Sequence, residues 1–492
     1  MKYKLLGSAM VVLILVCALA ASVLEAEEGP ARIHQRLSAR GPDAGCGCDG
    51  AELCTHLPLV IIDTGGQEIP GAPVGYDAHG ETIYSTTADG ESMLSARISI
   101  LDNETRNHHP SDTPDLESAG LIRIRGRSSR YFDKHNYLLR FTDDDGAYAD
   151  HEVMGMDAHY EWTLHGPYLD KSLIRNYLWY NIAGEMMEYS PNVRFCEVIF
   201  NGAYQGLYLM TETITNGENS RVNVSEPIDN STSTGYVLRL DQGSRTDLKN
   251  INNFTYYTYR ISRRNHLNIN IEYPRSGALT QEMADAIEQD LSDFEKALYS
   301  FDYDDRIYGY QNWVDVKSFA DYFILNEFTQ NYDAGYLSTF LYKDIGGKYH
   351  MVVWDFNNAC GNYTDLPAWE PGFQMQDTLW QWMLTKDEEY CQRIIDRYRM
   401  WRGSFLSEDY LMNYIDETIA YLGPAVEGNF EIWGYSFEAY RPLEPENRNP
   451  DSFEDAVEQL KTFIRDRGAW MDEFIETVQQ YGHPSINKRY NH

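Results

Sequence analysis

The sequence predicts an α+β fold with a β-rich N-terminal part and a helical C-terminal part. Three observations support this class. From residue 57, short runs of Leu, Ile and Val are separated by Gly, Pro, Asp and Asn. An Asn-Gly dipeptide separates two further apolar runs. Near the C-terminus, apolar residues recur at helical spacing. Strands that precede helices, rather than alternating with them, are typical of α+β proteins.

The first predicted strands are short apolar runs bounded by turn residues. They lie at residues 57–62, 96–101, 121–124 and 136–141. The last of these places Tyr137, Leu139 and Phe141 on one face, because alternate side chains of a strand point the same way. Together these strands predict a β-rich region over residues 56–145.

A helix is predicted next, over residues 170–187, with Asp170 as its N-cap. This helix would carry Lys171 and Arg175 one turn apart on one face. The pair suits either a capped amphipathic helix with surface ion pairs or a cationic contact to a ligand, and the first interpretation is favoured.

A β-hairpin is the clearest local prediction. Residues 193–200 and 203–210 flank Asn201-Gly202, the dipeptide that best tolerates the positive φ of a two-residue turn. A further strand is predicted over residues 235–240.

Two helices and a second hairpin follow, at residues 283–298, 316–323, and 336–342 with 349–354. Asp333 lies in the polar loop before this hairpin, and Asp355 follows its second strand. The chain from about residue 367 is predicted to be mostly helical.

The formal charge of the chain is −34, from 75 acidic and 41 basic residues among 492. Such a charge disfavours nucleic acid and anionic membrane surfaces as partners. An anionic substrate would therefore need a local cluster of basic groups or bound cations.

The N-terminus predicts a signal peptide or a signal anchor over residues 1–26. Lys2 and Lys4 precede a nearly uncharged run over residues 5–24, and acidic residues follow it. We expect an extracytoplasmic protein, secreted or anchored, with attachment to a membrane or cell wall through this segment. Residues 27–55 predict a linker.

Three cysteines of the linker, Cys46, Cys48 and Cys54, form a cluster in the sequence. A disulfide or free surface thiols are favoured over zinc, because no further Cys or His lies at a suitable spacing. His108 and His109 are predicted to lie on the surface.

Asp333 and Asp355 are the best candidates for a metal and phosphate site. Phosphoryl transfer needs an acid that orients a nucleophile and a carboxylate that holds a divalent cation. Asn331, Ser338 and Asn357 add oxygen ligands of the kind that Mg²⁺ or Mn²⁺ prefers. The alternative is that both aspartates only cap turns.

A basic loop over residues 123–130, with the sequence RIRGRSSR, is the segment best suited to bind phosphate. Backbone N–H groups at Gly126 and Ser128 and the arginine charges would contact the anion, and Lys134 lies just beyond. A solvated surface loop is the equally weighted alternative.

These motifs occur in a definite order. In chain order they are Arg125-Gly126-x-Ser128-Ser129 with Lys134, Asp170-Lys-Ser-Leu-Ile-Arg175-Asn176, Phe200-Asn-Gly-x-Tyr204-x-Gly206-x-Tyr208 with Glu212, Asn331-x-Asp333, and Trp354-Asp355-Phe356. Their order and spacing resemble the spore-coat protein H (CotH) kinase family.

The resemblance implies an atypical protein-kinase-like fold that binds ATP with Mg²⁺ or Mn²⁺ and phosphorylates Ser or Thr of a protein substrate. The kinase-like catalytic core would span residues 146–365, and a helical region would follow over 366–492. Two alternatives stay open: a catalytically inactive cell-surface binding or structural protein on the same scaffold, and an enzyme that transfers another part of the nucleotide, such as AMP.

The resemblance also implies roles for single residues. Asp333 would be the catalytic acid and Asp355 the metal ligand. Lys134 and the loop with Arg125, Gly126, Ser128 and Ser129 would approach the phosphates, and Glu212 would orient a basic group or share the metal. Family members often have Asp where this chain has Asn357, which can coordinate a cation but adds no charge.

Overall fold

The computed structural model describes residues 34, 35, 37, 40–78, 80–217, 221–241, 248–252, 254, 268–363 and 371–483. The predicted signal or anchor segment, residues 1–26, lies outside these ranges. Within them, no helix is both long enough and apolar enough to cross a membrane.

The strands are concentrated in the first three quarters of the chain, as predicted. In chain order they are β1 (Leu59–Asp63), β2 (Pro73–Tyr76), β3 (Thr82–Tyr84), β4 (Leu94–Leu101), β5 (Leu116–Arg125), β6 (Asn136–Thr142), β7 (His151–Val153), β8 (Met156–His159), β9 (Glu161–His165), β10 (Val193–Phe200), β11 (Ala203–Glu212), β12 (Tyr236–Asp241), β13 (Asn250–Ile251), β14 (Asn268–Tyr273), β15 (Thr339–Lys343) and β16 (His350–Val352).

The helices lie mainly in the C-terminal part. They are α1 (Arg175–Met186), α2 (Gln281–Leu298), α3 (Val316–Thr329), α4 (Gln381–Leu384), α5 (Glu388–Arg402), α6 (Glu408–Leu422), α7 (Pro424–Trp433), α8 (Ser436–Ala439) and α9 (Phe453–Phe474). This order of strands and helices confirms the predicted α+β class.

A closed barrel forms the N-terminal half, with the strand order β1-β10-β11-β9-β6-β5-β4. Neighbouring strands are antiparallel except β1 and β10, which run parallel. Tyr137, Leu139 and Phe141 are buried together in the barrel core, which confirms the predicted face of β6. The Asn201-Gly202 turn between β10 and β11 has positive φ angles of 48° and 79°, as its sequence predicts.

A second, five-stranded sheet has the order β13-β14-β12-β15-β16. Its central strand β12 pairs with β14 on one side and with β15 on the other. Helices α1, α2 and α3 and the C-terminal helices share one hydrophobic core with this sheet. The C-terminal helices are therefore packed directly against the segment that carries Asp333 and Asp355.

The predicted start of the helix at residue 170 is wrong, because α1 begins at Arg175. The Asp170 carboxylate instead accepts hydrogen bonds from the backbone N–H groups of Ser172 (3.0 Å) and Arg175 (2.8 Å), and it pairs with the Arg175 guanidinium at 2.5 Å. These contacts hold a tight loop in front of the helix.

The predicted amphipathic character of this helix is also wrong. Almost every residue of α1 is buried, so it is a central core helix rather than a surface helix. Lys171 lies in the preceding loop, where its Nζ donates to the Tyr168 carbonyl (2.9 Å) and to Ser436 Oγ (2.6 Å). Lys171 and Arg175 therefore do not share a helix face.

Candidate active site

A cleft of about 450 Å³ lies between the barrel and the second sheet. This volume is in the range of small-molecule and cofactor sites. Barrel strands β5, β6, β9 and β11 contribute one wall, and strands β12 and β15 contribute the other. The predicted site residues on its walls are Arg125, Gly126, Ser128, Ser129, Asp333, Ser338, Asp355 and Asn357.

Helix α3 and the loop that follows it bring Asp333 to the cleft. The helix ends at Thr329, and the next residue, Gln330, has a left-handed φ of 43° that turns the chain sharply. Asp333 then starts a tight turn in which its carbonyl accepts the N–H group of Leu337 at 2.7 Å. Asn358 Nδ2 donates to Asp333 Oδ2 at 2.9 Å and so fixes one carboxylate oxygen.

Asp355 is held in an uncommon backbone conformation, with a φ of +62°. Its N–H group donates to the Tyr180 hydroxyl (3.0 Å), and the next N–H group, of Phe356, donates to Asn176 Oδ1 (2.7 Å). Asn331 Nδ2 donates to the Asp355 carbonyl at 3.3 Å. A left-handed φ is costly for a residue other than glycine. The contacts with Tyr180 and Asn176 of the buried helix α1 explain how Asp355 keeps this conformation.

The carboxylates of the cleft disfavour one another's ionisation. Burial and, to a smaller extent, the charge of Asp333 raise the pKa of Asp355 to about 7, while Arg125 opposes the rise. Burial also raises the pKa of Asp333. Asp241 at the end of β12 adds to both shifts. Three carboxylates that repel one another in a half-buried cleft are the electrostatic condition that a bound cation relieves.

Two amide oxygens near these carboxylates have no hydrogen-bond partner among the described residues. The buried Oδ1 atoms of Asn357 and Asn331 accept no hydrogen bond from the part of the chain that the structure describes. A buried amide oxygen without a hydrogen-bond partner costs folding free energy unless a ligand binds it. Carboxylate and amide oxygens are the preferred ligands of Mg²⁺ and Mn²⁺, so the residues present fit such a cation.

The opposite wall of the cleft is rich in arginine. Arg123 and Arg125 lie at the end of β5, and the Arg125 guanidinium is 5.6 Å from the centre of the Trp354 ring. Gly126 has a φ of +108°, and a Cβ there would come within 2.0 Å of Ser129 Oγ. The tight turn from β5 into the Ser128–Tyr131 3₁₀ helix therefore requires glycine.

Lys134 does not line the cleft. Its buried Nζ donates to the Leu207 carbonyl and to Asn429 Oδ1, both at 2.6 Å, and it lies over the rings of Tyr208 and Trp433. Burial lowers its pKa well below the usual value. In this structure Lys134 joins the barrel to helix α7, and direct contact with phosphate would need it to leave these partners.

Glu212 also lies outside the cleft wall. Its side chain is fully buried, and Oε2 accepts hydrogen bonds from the Asn192 N–H group (2.9 Å) and Nδ2 (3.2 Å). These contacts fix the chain between α1 and β10. The structure thus brings the basic loop and the acidic pair together, and it does not bring Glu212 to them.

Sequence reasoning missed Arg239 and Asp241, which line the cleft from β12. They are the only charged residues in the strand YVLRLD and lie two positions apart, so they face the same side. Two charged residues on one face of an otherwise apolar strand indicate that this face borders a polar site. His165 and Asn176 also line the cleft; burial lowers the His165 pKa to about 3, and its Nε2 lies 3.1 Å from Asn176 Nδ2.

The raised pKa of Asp355 predicts a pH-dependent stability of the metal-free protein. The folded state keeps a proton that the unfolded chain loses near the ordinary aspartate pKa of 3.8, so this stabilisation fades as pH rises towards about 7. Asp355→Asn imitates the protonated form. Thermal unfolding with a chelator should show the Tm advantage of the variant over the wild type growing from about pH 5 to about pH 7. A constant Tm difference would contradict the prediction.

The fold and the site define a class of protein with a cleft between a β-barrel and a second β-sheet. The basic turn at Gly126 lines this cleft together with Asp333 and Asp355. The sequence model of a protein family described as CotH kinase protein matches residues 122–471 of the chain. The chain belongs to the CotH kinase family, which confirms the resemblance inferred from the motifs. The match begins in β5 and includes every predicted site residue as well as most of α9. No curated protein matches the chain.

Proposed function

We propose that the protein is an ATP-dependent phosphotransferase that phosphorylates Ser or Thr of a protein substrate. The observation that carries this proposal is the pairing, across one cleft, of Asp333 and Asp355 with the glycine turn after Arg125. In a chain with a net charge of −34, a wall of arginines is an unusual local environment and suits an anionic ligand.

Asp333 is proposed to accept the proton of the substrate hydroxyl. Its carboxylate lies on the cleft wall, and the Asn358 amide donates a hydrogen bond to one carboxylate oxygen. This contact fixes the orientation of the carboxylate and so of its other oxygen. Burial raises its pKa from the usual value, which makes the ionised carboxylate a better base. Phosphoryl transfer needs little more than this orientation together with charge stabilisation.

Asp355 and Asn357, with Ser338 of the same cleft, would hold Mg²⁺ or Mn²⁺. When bound, the cation would neutralise phosphate charge. Asn357 contributes an oxygen and no charge, so Asp355 is the main anionic ligand. The orphaned Oδ1 of Asn357 supports this assignment.

The turn with Arg125, Gly126, Ser128 and Ser129 is proposed to bind the phosphates of ATP. Backbone N–H groups and arginine side chains are the groups that recognise phosphate in proteins. Lys134 and Glu212 would support the site indirectly, since Lys134 joins the barrel to helix α7 and Glu212 fixes the chain between α1 and β10.

The N-terminal segment supports an extracytoplasmic location, secreted or attached to a membrane or cell wall, as the setting of this activity. The strongly negative charge supports a protein substrate rather than nucleic acid.

Ligand-induced stabilisation tests the binding step. We expect ATP with Mn²⁺ or Mg²⁺ to raise the Tm of the wild-type protein, with no such increase for Asp355→Ala, because a ligand that binds only the folded state stabilises it. ATP with a chelator is the matched control. An equal increase for both proteins would remove Asp355 from the proposed site. No increase for the wild type would favour the inactive-scaffold alternative.

A further inference from the structure

A cluster of three cysteines and one histidine lies on the side of the barrel, outside the cleft. Cys46, Cys48 and Cys54 meet His109, and one ligand atom from each lies within 4.8 Å of all the others. Cys46 Sγ is 3.5 Å from His109 Nε2. We propose that these four residues bind one Zn²⁺ ion in a structural site.

The separation of Cys46 Sγ and His109 Nε2, 3.5 Å, is the one expected between two ligands of a tetrahedral zinc ion. With Zn–S bonds of about 2.3 Å and Zn–N bonds of about 2.0 Å, tetrahedral geometry separates the ligand atoms by roughly 3.5 to 3.8 Å. All four atoms lie within 4.8 Å of one another, so they need to move by only about 1 Å to reach these separations. Four protein ligands close the coordination shell, which is typical of a structural rather than a catalytic zinc site.

Neighbouring groups orient two of the ligands. His109 Nδ1 lies 3.2 Å from Asp112 Oδ2, so the carboxylate fixes the ring with Nε2 towards the thiols. This carboxylate-histidine arrangement is a common second shell of zinc sites. Asn107 Nδ2 donates to Cys54 Sγ at 3.2 Å, a contact that stabilises a thiolate.

Backbone pairing brings the two parts of the site together. Thr55 and His108 exchange two backbone hydrogen bonds, of 3.1 and 2.7 Å, which join the cysteine segment to the loop between β4 and β5. His108 is buried, with Nδ1 2.7 Å from the Leu57 carbonyl, so its predicted surface location is wrong. The histidine missing from the local pattern, His109, lies in the loop between β4 and β5, too far along the chain from Cys54 for local spacing to reveal it.

The odd number of thiols favours zinc over a disulfide. All three are free in the structure, and a disulfide between any two would leave the third unpaired. The other described cysteines are buried elsewhere and do not join the group: Cys196, Cys360 and Cys391. Zinc employs all three thiols and the histidine at once.

Such a site would fasten the segment before β1 to the barrel. Arg40 already donates to Asn107 Oδ1 and to the Thr105 carbonyl in the same loop, so the zinc site would reinforce an existing contact. The ligand set Cys₃His carries a net charge of −1 with Zn²⁺, which the neighbouring arginine complements.

The test uses the full-length protein, purified without chelator, and elemental analysis for zinc. We expect one zinc per chain and three thiols that react with a thiol reagent only after chelation. Asp112→Asn keeps all four ligands and should weaken zinc binding about 10- to 100-fold in a competition titration with a chromophoric chelator. Asp145→Asn, the same chemical change at an exposed turn, should leave zinc affinity unchanged.

Cys48→Ser provides the direct ligand test, with circular dichroism to confirm folding. If that variant fails to fold, the Asp112→Asn titration and the zinc content of the wild-type protein still test whether the four residues bind zinc. A wild-type protein that takes up no zinc from an equimolar solution, or whose intact mass reveals a disulfide within the cluster, would overturn the proposal.

Discussion

Asp333→Asn is expected to lower phosphate transfer about 100- to 10,000-fold, the usual contribution of a positioned general base. Asparagine keeps the size of the side chain and can still contact Asn358, but it cannot accept the substrate proton. Binding of ATP with a divalent cation should persist, because Asp355 is the proposed metal ligand. The expected pattern is therefore loss of turnover with retained ligand-induced stabilisation, measured by a transfer assay and by thermal unfolding.

Asp344→Asn is the matched control for this substitution. Asp344 lies in the turn between β15 and β16, and its carboxylate accepts the Ser225 N–H group (2.8 Å) rather than lining the cleft. We expect this variant to transfer phosphate at the wild-type rate. If Asp333→Asn retained full transfer while Asp344→Asn did too, Asp333 would have no role as a base.

Arg467→Met is expected to cause the largest loss of stability, about 3 to 5 kcal/mol in the free energy of unfolding. Arg467 and Glu327 are both fully buried, and Nη2 of the arginine lies 2.6 Å from Oε1 of the glutamate. The substitution leaves a carboxylate buried without its counter-charge. Chemical denaturation of the variant and the wild type measures the difference.

An ion pair on the same helix supplies the control. Arg465 contacts Glu458 at 3.0 Å, but both side chains are exposed, at 39% and 64%. Arg465→Met should therefore cost less than about 1 kcal/mol, because exposed pairs are screened by water. Equal losses for the two variants would contradict the importance assigned to the buried pair.

The buried pair also fixes the helix end that leads to Asp333. Glu327 lies in the last turn of α3, six residues before Asp333, and it accepts the backbone N–H groups of Gln374 and Met375. Helix α9 is thereby fastened to the end of the helix that leads into the loop with Asp333. We expect Arg467→Met to lower ligand-induced stabilisation as well as basal stability.

Local patterns predicted local structure well. The Asn201-Gly202 hairpin and the alternating face of β6 were correct because turn chemistry and side-chain alternation act over a few residues. The start of α1 was wrong because Asp170, a good helix N-cap, is used instead to hold a loop through Arg175. Local propensity could not reveal that tertiary contact.

The site was predicted in part, for a similar reason. The order of the motifs indicated that the basic loop and the acidic pair belong together, and the cleft contains both. Lys134 was expected near the phosphates, yet its partner Asn429 lies 295 residues away and holds it behind the barrel wall. The alternation of Arg239 and Asp241 in β12 indicates a shared polar face, but that this face meets the cleft depends on how the second sheet packs.

The most direct test of the proposed function compares ATP labelled on the γ-phosphate with ATP labelled on the α-phosphate, using the wild-type protein, Mn²⁺ and a Ser-rich acceptor. The account predicts that γ-label appears on Ser or Thr, of the acceptor or of the protein itself, and that α-label does not. Transfer of α-label would indicate AMP transfer instead. Transfer of neither label, with ATP still bound in the cleft, would contradict a phosphotransferase and favour a binding scaffold.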